Sequence, residues 1–352
     1  MIYRLLCGFL VLFFSVPAAL HAQTAFFWEQ PEVFSPGNFP VTACNGSAGI
    51  AVWQEPVRGP GEGGSISIAL AVMLPGQPWE KRGIIGGPHA YSGTEPAILS
   101  AVIDARNRIL IAAAASASEI ELLISNDLGQ TFERRRLSSG LDSSLAPRIS
   151  VASDGSYLLF VTRGREDAFS IFFSRSADGL FWAPFQPFIA DPGMRLNFLP
   201  FHASFRGREY VVFQSFTGAA GGINLFQLFI KTSDDGGRTW SAPRRFTDFQ
   251  SPNMNALADE FDNQRPHLSV QGNSLFLAWE RRHRAGTPQI YAARLGADGA
   301  LAGPPERVSS AAAHSSNPIA VHYRGQATVF WFDNRRGFNR IFMAQRAGLW
   351  WE

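Results

Sequence analysis

A unit that repeats six times constrains the fold of this chain more than any other feature of its sequence. Each copy opens with a proline followed by alternating apolar residues, and the copies recur at a spacing of roughly 50 to 65 residues. This period suits one four-stranded β-sheet with its loops, repeated around a ring. Because proline has no N–H, it is expected at the first position of a strand, where no ladder bond is lost. The six prolines are Pro40, Pro96, Pro147, Pro200, Pro266 and Pro318.

Two further apolar runs follow the proline strand in each unit. They are too short for helices, and their alternation is typical of β-strands. The second runs span 49–53, 109–115, 157–162, 210–214, 275–279 and 327–331, and the third runs span 66–73, 120–125, 169–174, 225–231, 289–294 and 340–345. A fourth strand is expected to open with an aromatic residue, at Trp79, Phe132, Trp182 and Trp240. The pattern predicts an all-β, six-bladed β-propeller with four antiparallel strands in each blade.

A turn rich in Asp and Gly separates the third run from the fourth strand. Its best copy, Ser-Asp-Asp-Gly-Gly-Arg-Thr-Trp at 233–240, places a hydrogen-bonding Asp beside glycines that permit positive φ. This is the chemistry of a tight hairpin turn. Weaker copies lie at 125–132 and 176–182, and remnants lie at 296–299 and 347–350.

These turns resemble the Asp box, Ser-x-Asp-x-Gly-x-Thr-Trp, of the sialidase-like (bacterial neuraminidase repeat) six-bladed β-propellers. Residues 279–291 and 331–342 also resemble a motif that is common in bacterial secreted propellers, in which Trp-x-Asp-x-Arg-x-Gly is followed by Ile-Tyr. The resemblance covers essentially the whole chain after the leader. It implies that the boxes lie opposite the ligand-binding face, so Asp127, Asp178 and Asp235 are expected to be structural.

The first 22 residues read as a secretory signal peptide. Arg4 supplies a positive charge, an apolar run spans 5–16, and small residues precede a cleavage point after Ala22. The prediction is therefore a signal peptide at 1–22 and one propeller domain at 23–352, exported to the periplasm, cell surface or medium. An uncleaved anchor helix is the alternative, and no later stretch is apolar and long enough to span a membrane.

The two ends of the chain predict how the ring closes. The chain stops at Trp351 and Glu352, where the sixth unit should begin its fourth strand, while residues 26–34 resemble the fourth strands at 181–188 and 239–246. The N-terminal segment is therefore expected to complete the last blade and to leave no open edge. Alternatively, the chain is a fragment of a longer protein.

Charge and cysteine content exclude several classes of partner and cofactor. The formal net charge of +2 predicts no strong attraction to nucleic acid. Cys44 is alone after the leader, so no internal disulfide is expected. The histidines show no metal-ligand spacing, and neither a metal nor a cofactor is predicted. Among them only His267, close to Arg265, is a candidate for a functional role.

Loops that enter first strands and loops that join second to third strands share one face of a propeller. A glycan or protein ligand is expected there, although the same charges could be solvated, or could be ion-pair partners that hold neighbouring blades together. The candidate ligand-binding residues on this face are Glu95, Arg163, Arg265, Glu280, Arg281, Asn317, Asp333 and Arg335.

Catalysis of the sialidase type would need a set of residues that this sequence does not match position by position, and an arginine cluster formed from other positions is the open alternative. The resemblance implies an Arg-Ile-Pro segment, three arginines that grip a carboxylate, a Tyr–Glu nucleophile pair and an Asp acid/base. Here Phe39-Pro40-Val41 stands where Arg-Ile-Pro is expected, Tyr323 falls in a turn on the wrong face and Tyr291 falls in a third strand. The favoured prediction is a non-catalytic binding module. A sialidase-type exo-glycosidase acting on terminal acidic sugars and a structural spacer are the alternatives.

Overall fold

Every regular element in the described part of the chain is a β-strand. The computed structural model describes residues 38–56, 65–90, 99–116, 118–138, 144–165, 168–191, 193–194, 196–220, 223–247, 261–271, 273–283, 286–310, 313–323, 326–335, 337, 340–347 and 350–351. Within these ranges the strands form six antiparallel sheets of four strands each, an arrangement consistent with a β-propeller. In each sheet the strands lie side by side in chain order.

The strands of the six sheets have the following bounds. The first sheet contains β1 (Asn38–Cys44), β2 (Gly49–Pro56), β3 (Ser65–Met73) and β4 (Glu80–Ala90), and the second contains β5 (Leu99–Ile103), β6 (Ile109–Ala114), β7 (Glu119–Ser125) and β8 (Glu133–Ser138). The third contains β9 (Ser144–Val151), β10 (Tyr157–Arg165), β11 (Ala168–Ser176) and β12 (Gln186–Pro187), and the fourth contains β13 (Asn197–Phe205), β14 (Arg208–Ala220), β15 (Ile223–Ser233) and β16 (Arg244–Arg245). The fifth contains β17 (Phe261–Gln271), β18 (Ser274–His283), β19 (Gln289–Leu295) and β20 (Glu306–Arg307), and the sixth contains β21 (Ser315–Tyr323), β22 (Gln326–Asp333), β23 (Arg340–Ala347) and β24 (Trp350–Trp351).

Pro40, Pro147, Pro200, Pro266 and Pro318 lie inside their first strands, so the expectation that the proline begins the strand is wrong for these five, and Pro96 lies outside the described residues. In β1, β9, β13, β17 and β21 the register slips by one residue at the proline, which is a β-bulge. A bulged residue has no ladder partner, so the missing N–H of proline removes no hydrogen bond there. In four of these strands the residue before the proline has a positive φ: Ala146 (45°), Leu199 (52°), Arg265 (51°) and Asn317 (52°).

The fourth strands begin later than the aromatic residues that were expected to open them. They start at Glu80, Glu133, Gln186 and Arg244, one to four residues further on. Trp240 illustrates the difference: its backbone lies before the strand, and its ring packs against a neighbouring sheet. It meets Phe188 of the third sheet edge-on, at a centroid distance of 5.1 Å.

Apolar side chains fill the space between consecutive sheets. One cluster joins Ile50 and Leu70 of the first sheet to Ile109 of the second, and further clusters lie between each later pair of neighbours up to the fifth and sixth. The first strands of consecutive sheets also contact one another. The first strands therefore gather on the inside of the array, and the fourth strands lie outside.

The Asp-rich turns lie between third and fourth strands, as predicted. Asp235 accepts hydrogen bonds from the backbone N–H groups of Arg238 and Thr239, both at 2.9 Å, and from the Thr239 hydroxyl at 2.6 Å. The same bonds to Asp127 come chiefly from Thr131, and they lower the pKa of that carboxyl to about 2. These carboxylates are fully engaged in holding their own turns.

Gly237→Ala is expected to destabilise the protein more than Gly155→Ala does. Both glycines have positive φ, 81° and 79°, so alanine is strained at either position. A Cβ at Gly237 would lie 2.8 Å from Leu158 Cδ2, whereas a Cβ at Gly155 would meet nothing within 4 Å. Urea unfolding should show a loss of about 1 to 2 kcal/mol for Gly155→Ala and at least about 1 kcal/mol more for Gly237→Ala. Equal losses would mean that the turn does not press on the preceding sheet.

Candidate functional site

The start of each first strand and the end of each second strand lie at one edge of the sheets, because neighbouring strands are antiparallel. Gln264 pairs with Glu280 and Ser315 pairs with Asp333 at this edge, which we call the loop face. The Asp-rich turns lie at the opposite edge, the turn face. The loop face carries Arg163, Arg265, Glu280, Arg281, Asn317 and Asp333, and Arg335 follows two residues after β22, whereas Glu95 lies outside the described residues.

Glu280 brings together three of the candidate residues. Its Oε2 accepts a hydrogen bond from Arg265 Nη1 at 2.5 Å, and its Oε1 accepts one from the backbone N–H of Asn317 at 2.6 Å. Burial raises the pKa of Glu280, and the Arg265 charge and the Asn317 N–H offset only part of that rise. The carboxyl therefore joins the fifth sheet to the bulge of the sixth.

The fourth and fifth sheets are joined in the same way. The side-chain Oε1 of Gln214 accepts a hydrogen bond from the backbone N–H of Arg265 at 2.9 Å. Gln214 and Glu280 occupy the same register position, since each faces the second residue before the proline of its own sheet. A polar residue at this position thus holds the bulge of the next sheet.

Arg281 follows Glu280 directly on β18, so its side chain points to the opposite face of the strand. Arg163 occupies the equivalent position on β10, and both arginines are buried. The Cζ of Arg163 lies 5.1 Å from the Phe172 ring centroid and 4.8 Å from that of Phe185. The Cζ of Arg281 lies 3.7 Å from Phe261 and 5.0 Å from Tyr291. Burial lowers the pKa of both guanidinium groups, that of Arg163 to about 10. Both arginines are therefore packed cations rather than solvated loop charges.

Asp333 is 0% exposed, and both oxygens of its carboxylate accept hydrogen bonds. Arg335 binds it through two nitrogens, Nε to Oδ1 at 2.8 Å and Nη2 to Oδ2 at 2.6 Å. Trp331 Nε1 and Ser315 Oγ donate to Oδ2 at 3.1 and 3.0 Å. These bonds, led by those from Arg335, hold the pKa of Asp333 far below its usual range. Asp333 has the contacts of an anchor for Arg335.

The three stacked arginines are each held against an aromatic residue of the third strand in their own sheet. Phe172, Tyr291 and Phe342 occupy the same register position, and Arg335 Cζ lies 4.3 Å from the Phe342 centroid. Their guanidinium groups are therefore distributed over the third, fifth and sixth sheets. This placement differs from the single three-arginine grip that the family resemblance implies.

An open polar groove lies on the loop face between the fifth and sixth sheets. Arg282 forms one side of the groove. Its guanidinium makes an ion pair with Asp262, with Nη2 3.0 Å from Oδ2. On the other side, Asn334 and His314 are joined by two hydrogen bonds that involve their backbones, at 3.0 and 3.3 Å. The sequence prediction missed these three residues. Arg282 is directly next to Arg281, and Asn334 is next to Asp333, so adjacency to candidate residues was the available signal.

Among the residues that directly follow the prolines, sequence reasoning singled out His267 but missed Arg148 and Phe201. Arg148, Phe201 and His267 each come directly after the proline of a first strand, and all three are partly buried on the inside of the array. Phe201 and His267 are in contact, with ring centroids 4.0 Å apart. Burial and, second, the charge of Arg148 lower the pKa of His267 to about 3. Each of the three residues follows the proline bulge of its first strand, and the strand pattern alone did not reveal the bulge.

The described residues contain no group of three or more His, Cys, Asp or Glu side chains arranged to hold a metal ion. They also include no helix with the length and apolarity needed to cross a bilayer.

Solved structures with the same fold include proteins from a bacterium and two fungi. A protein of unknown function from Dyadobacter fermentans is 17% identical, with a TM-score of 0.56 over 88% of this chain and 95% of that chain. An α-L-arabinofuranosidase from Fusarium graminearum is 11% identical, with a TM-score of 0.54 over 87% and 92% of the two chains. An α-L-arabinanase from Penicillium chrysogenum is 16% identical, with a TM-score of 0.51 over 72% and 79%. No family model matches the sequence, and no curated protein matches it.

At these identities the likeness supports the all-β fold alone. None of the three proteins is described as a sialidase. Membership of the sialidase-like family therefore stays a prediction from the sequence motifs.

Proposed function

We propose that this protein is an exported, six-bladed, sialidase-like propeller that binds a glycan through its loop face and does not cleave it. The observation that carries the proposal is the open polar groove lined by Arg282, His314 and Asn334, on the same loop face as the Arg265–Glu280 pair and at the edge away from the Asp-rich turns. Two proteins of similar fold support a carbohydrate ligand over a protein ligand. One is an arabinanase complexed with arabinobiose and the other an arabinofuranosidase complexed with an iminosugar.

The use of the candidate side chains supports binding without catalysis. Asp333 is committed to Arg335, and Glu280 is committed to Arg265 and the Asn317 N–H. Arg163 and Arg281 are stacked on their own sheets. The groups left to meet a ligand are the half-exposed Arg265 guanidinium and the groove residues Arg282, Thr287, His314 and Asn334.

One observation favours a glycosidase as the second candidate. Glu280 is a buried carboxyl with a raised pKa on the ligand-facing edge, and such a carboxyl can serve as a general acid. A glycosidase would place Glu280 beside the leaving group and would require a second carboxylate across the scissile bond. Sialidase-type action on a terminal acidic sugar is the specific form of this alternative.

The test pairs a glycan array with fluorogenic sialoside and arabinofuranoside substrates. We expect binding without turnover, and we expect Arg265→Ala to weaken that binding about tenfold because a charge-assisted hydrogen bond is lost. Arg206→Ala, on the turn face, is the matched control and should bind as the parent does. Turnover that disappears in Glu280→Gln and Arg265→Ala would establish the enzyme instead.

Closure of the ring by residues 26–34 is part of the proposal. Trp331 and Phe342 pack on the fifth sheet, so Phe332, Ile341 and Met343 point the opposite way along the same strands. These three side chains are 42%, 70% and 43% exposed, which supports another sheet as the cover of this face. Residues 26–34 lie outside the described residues, and their proposed place as the closing strand rests on their likeness to the fourth strands at 181–188 and 239–246. Hydrogen exchange should show slow amides in 26–34, and free exchange there would contradict closure.

Export with removal of the first 22 residues completes the proposal, and it rests on the leader pattern of the sequence. N-terminal sequencing of the exported protein should start at or near Gln23. A secreted form that still begins at Met1 would contradict it.

A further inference from the structure

A cleft of about 360 Å³ opens on the turn face, between the second and third sheets. One wall is the turn that joins β5 to β6, and this turn carries Arg106 and Arg108. The other walls are the turn between β9 and β10, which carries Asp154, and the start of the Asp-rich turn at 176–182. The cleft is large enough for a ligand. It lies at the edge opposite the polar groove of the loop face and shares none of the residues of that groove.

The three carboxylates that line the cleft are bound by donors of the protein itself. Asp104 accepts hydrogen bonds from the Tyr157 hydroxyl at 2.6 Å and from two backbone N–H groups of its own turn at 2.9 and 2.8 Å. Asp154 forms an ion pair with Arg175, with Oδ2 2.6 Å from Nη2. Asp178 accepts from two backbone N–H groups of its own turn at 2.8 and 2.9 Å. These acids are therefore committed to holding the local structure.

The two arginines of the cleft have no acidic partner among the residues that the structure describes. Arg106 is exposed, and its guanidinium forms no hydrogen bond or ion pair in that part of the chain. The guanidinium of Arg108 donates to the backbone carbonyl of Asp178, which carries no net charge. The turn that carries both arginines is fixed to the first sheet, because Asn45 Nδ2 donates to Asn107 Oδ1 at 2.8 Å. A well-held turn thus places two positive charges without a counter-charge at the cleft.

The Asp-rich turn beside the cleft departs from its two other copies at one position. In the turns at 125–132 and 233–240, the residue before the final aromatic is a threonine whose hydroxyl donates to the turn Asp, at 2.5 and 2.6 Å. In the turn at 176–182 this residue is Phe181, which has no hydroxyl and is 74% exposed. The exchange gives up a local hydrogen bond and places a large apolar ring in solvent. Departures from a local rule without a gain in stability are typical of functional sites.

We propose that this cleft binds an acidic segment of a partner protein, with a carboxylate on Arg106 and Arg108 and a neighbouring apolar side chain on Phe181. Charge complementarity selects the acid, since a guanidinium fork matches the two oxygens of a carboxylate. Val151 and Ala152 give the cleft an apolar part, and aromatic and arginine side chains contribute most to the energy of protein interfaces. The site is separate from the loop face, so a glycan and a partner protein can be held together.

The test is isothermal titration calorimetry of the full exported protein with three peptides, acetylated and amidated so that their ends carry no charge. The probe is Gly-Phe-Glu-Asp-Phe-Gly, and its matched versions are Gly-Phe-Gln-Asn-Phe-Gly, without the acids, and Gly-Ser-Glu-Asp-Ser-Gly, without the rings. We expect the probe to bind at least about tenfold more tightly than the version without acids. It should bind about fivefold more tightly than the version without rings.

Two variants separate a binding role from a structural one. Arg106→Gln removes an exposed side chain with no described partner, so its Tm should equal that of the parent while the affinity for the probe falls about tenfold. Phe181→Thr brings back the residue of the other two turns, so its Tm should not fall while the affinity falls about fivefold. Arg206→Gln is the matched control, because Arg206 is an exposed arginine of the same face whose guanidinium binds Asn273. It should bind the probe as the parent does.

The remaining outcomes would overturn the proposal. They are equal binding of the peptides with and without acids, or a preference for acids that survives the double variant Arg106→Gln and Arg108→Gln. Sodium phosphate that binds as tightly as the probe would make the cleft a site for small anions instead. Equal losses in Arg106→Gln and Arg206→Gln would mean general charge attraction. Glycan binding by Arg106→Gln should match that of the parent, so the failure of either function leaves the other standing.

Discussion

Glu209→Ala is expected to lower the free energy of unfolding by about 3 to 5 kcal/mol, because it breaks a buried polar network. Glu209 lies on β14 and is 0% exposed. Its Oε1 accepts from the backbone N–H and hydroxyl of Ser153 at 2.9 and 2.5 Å, and its Oε2 accepts from His202 Nε2 at 2.8 Å and from the Ser204 hydroxyl. The carboxylate therefore ties the fourth sheet to a turn of the third, and its loss leaves several buried donors without an acceptor.

The same network predicts a loss of stability in acid. Burial alone would raise the pKa of Glu209, but the hydrogen bonds from His202, Ser153 and Ser204 outweigh burial and lower it from 4.5 to about 2. A carboxyl with a lowered pKa stabilises the fold above its unfolded value, and this contribution is lost as the pH falls from about 4.5 through about 2. The shift corresponds to about 3 kcal/mol.

Urea unfolding at pH 7 and at pH 3 measures both effects. Glu133→Ala is the matched control, because Glu133 forms an exposed ion pair with Arg135 and its removal should change stability by less than about 0.5 kcal/mol. Glu209→Gln keeps the shape but not the charge, so it should have intermediate stability and a weaker dependence on pH between 5 and 2. If Glu209→Ala unfolds like the control, the network does not join the two sheets.

Asp333→Ala is expected to lower the free energy of unfolding by about 3 to 5 kcal/mol as well, because it leaves Arg335 without its buried anion and Trp331 and Ser315 without an acceptor. Arg335→Gln should cost less, since Asp333 would keep the bonds from Trp331 and Ser315. The lowered pKa of Asp333 adds the same sign of pH dependence as Glu209, with stability lost as acid protonates the carboxylate. Thermal or urea unfolding of both variants gives the comparison.

A third variant, Asp333→Asn, tests the role of Asp333 on the loop face. If Asp333 anchors Arg335, ligand affinity per folded molecule should be unchanged in Asp333→Asn, although stability falls. A variant that keeps its stability but loses glycan binding would make Asp333 a direct ligand contact and would contradict the anchor role.

The sequence by itself determined the sheets and their turns. Alternating apolar runs specify strands through local periodicity, and the strands occur where the runs lie, with only their ends displaced. The Asp-rich turns were equally predictable, because the bonds of Asp127 and Asp235 reach only two to four residues along the chain. Interactions of this kind join residues that are close together in the sequence, so they can be predicted without knowing how the sheets pack.

Only the tertiary structure decided which charged residues are available for a ligand. Glu280 finds its partner in the Asn317 N–H, 37 residues away in another sheet, and Arg163 is buried between two phenylalanines. The bulge at Pro147 contains a left-handed residue, Ala146, whose side chain gives no sequence signal of the bulge. Burial and long-range pairing arise when sheets pack together, and they decide which of two equally charged residues is a buried anchor and which stays exposed on the loop face.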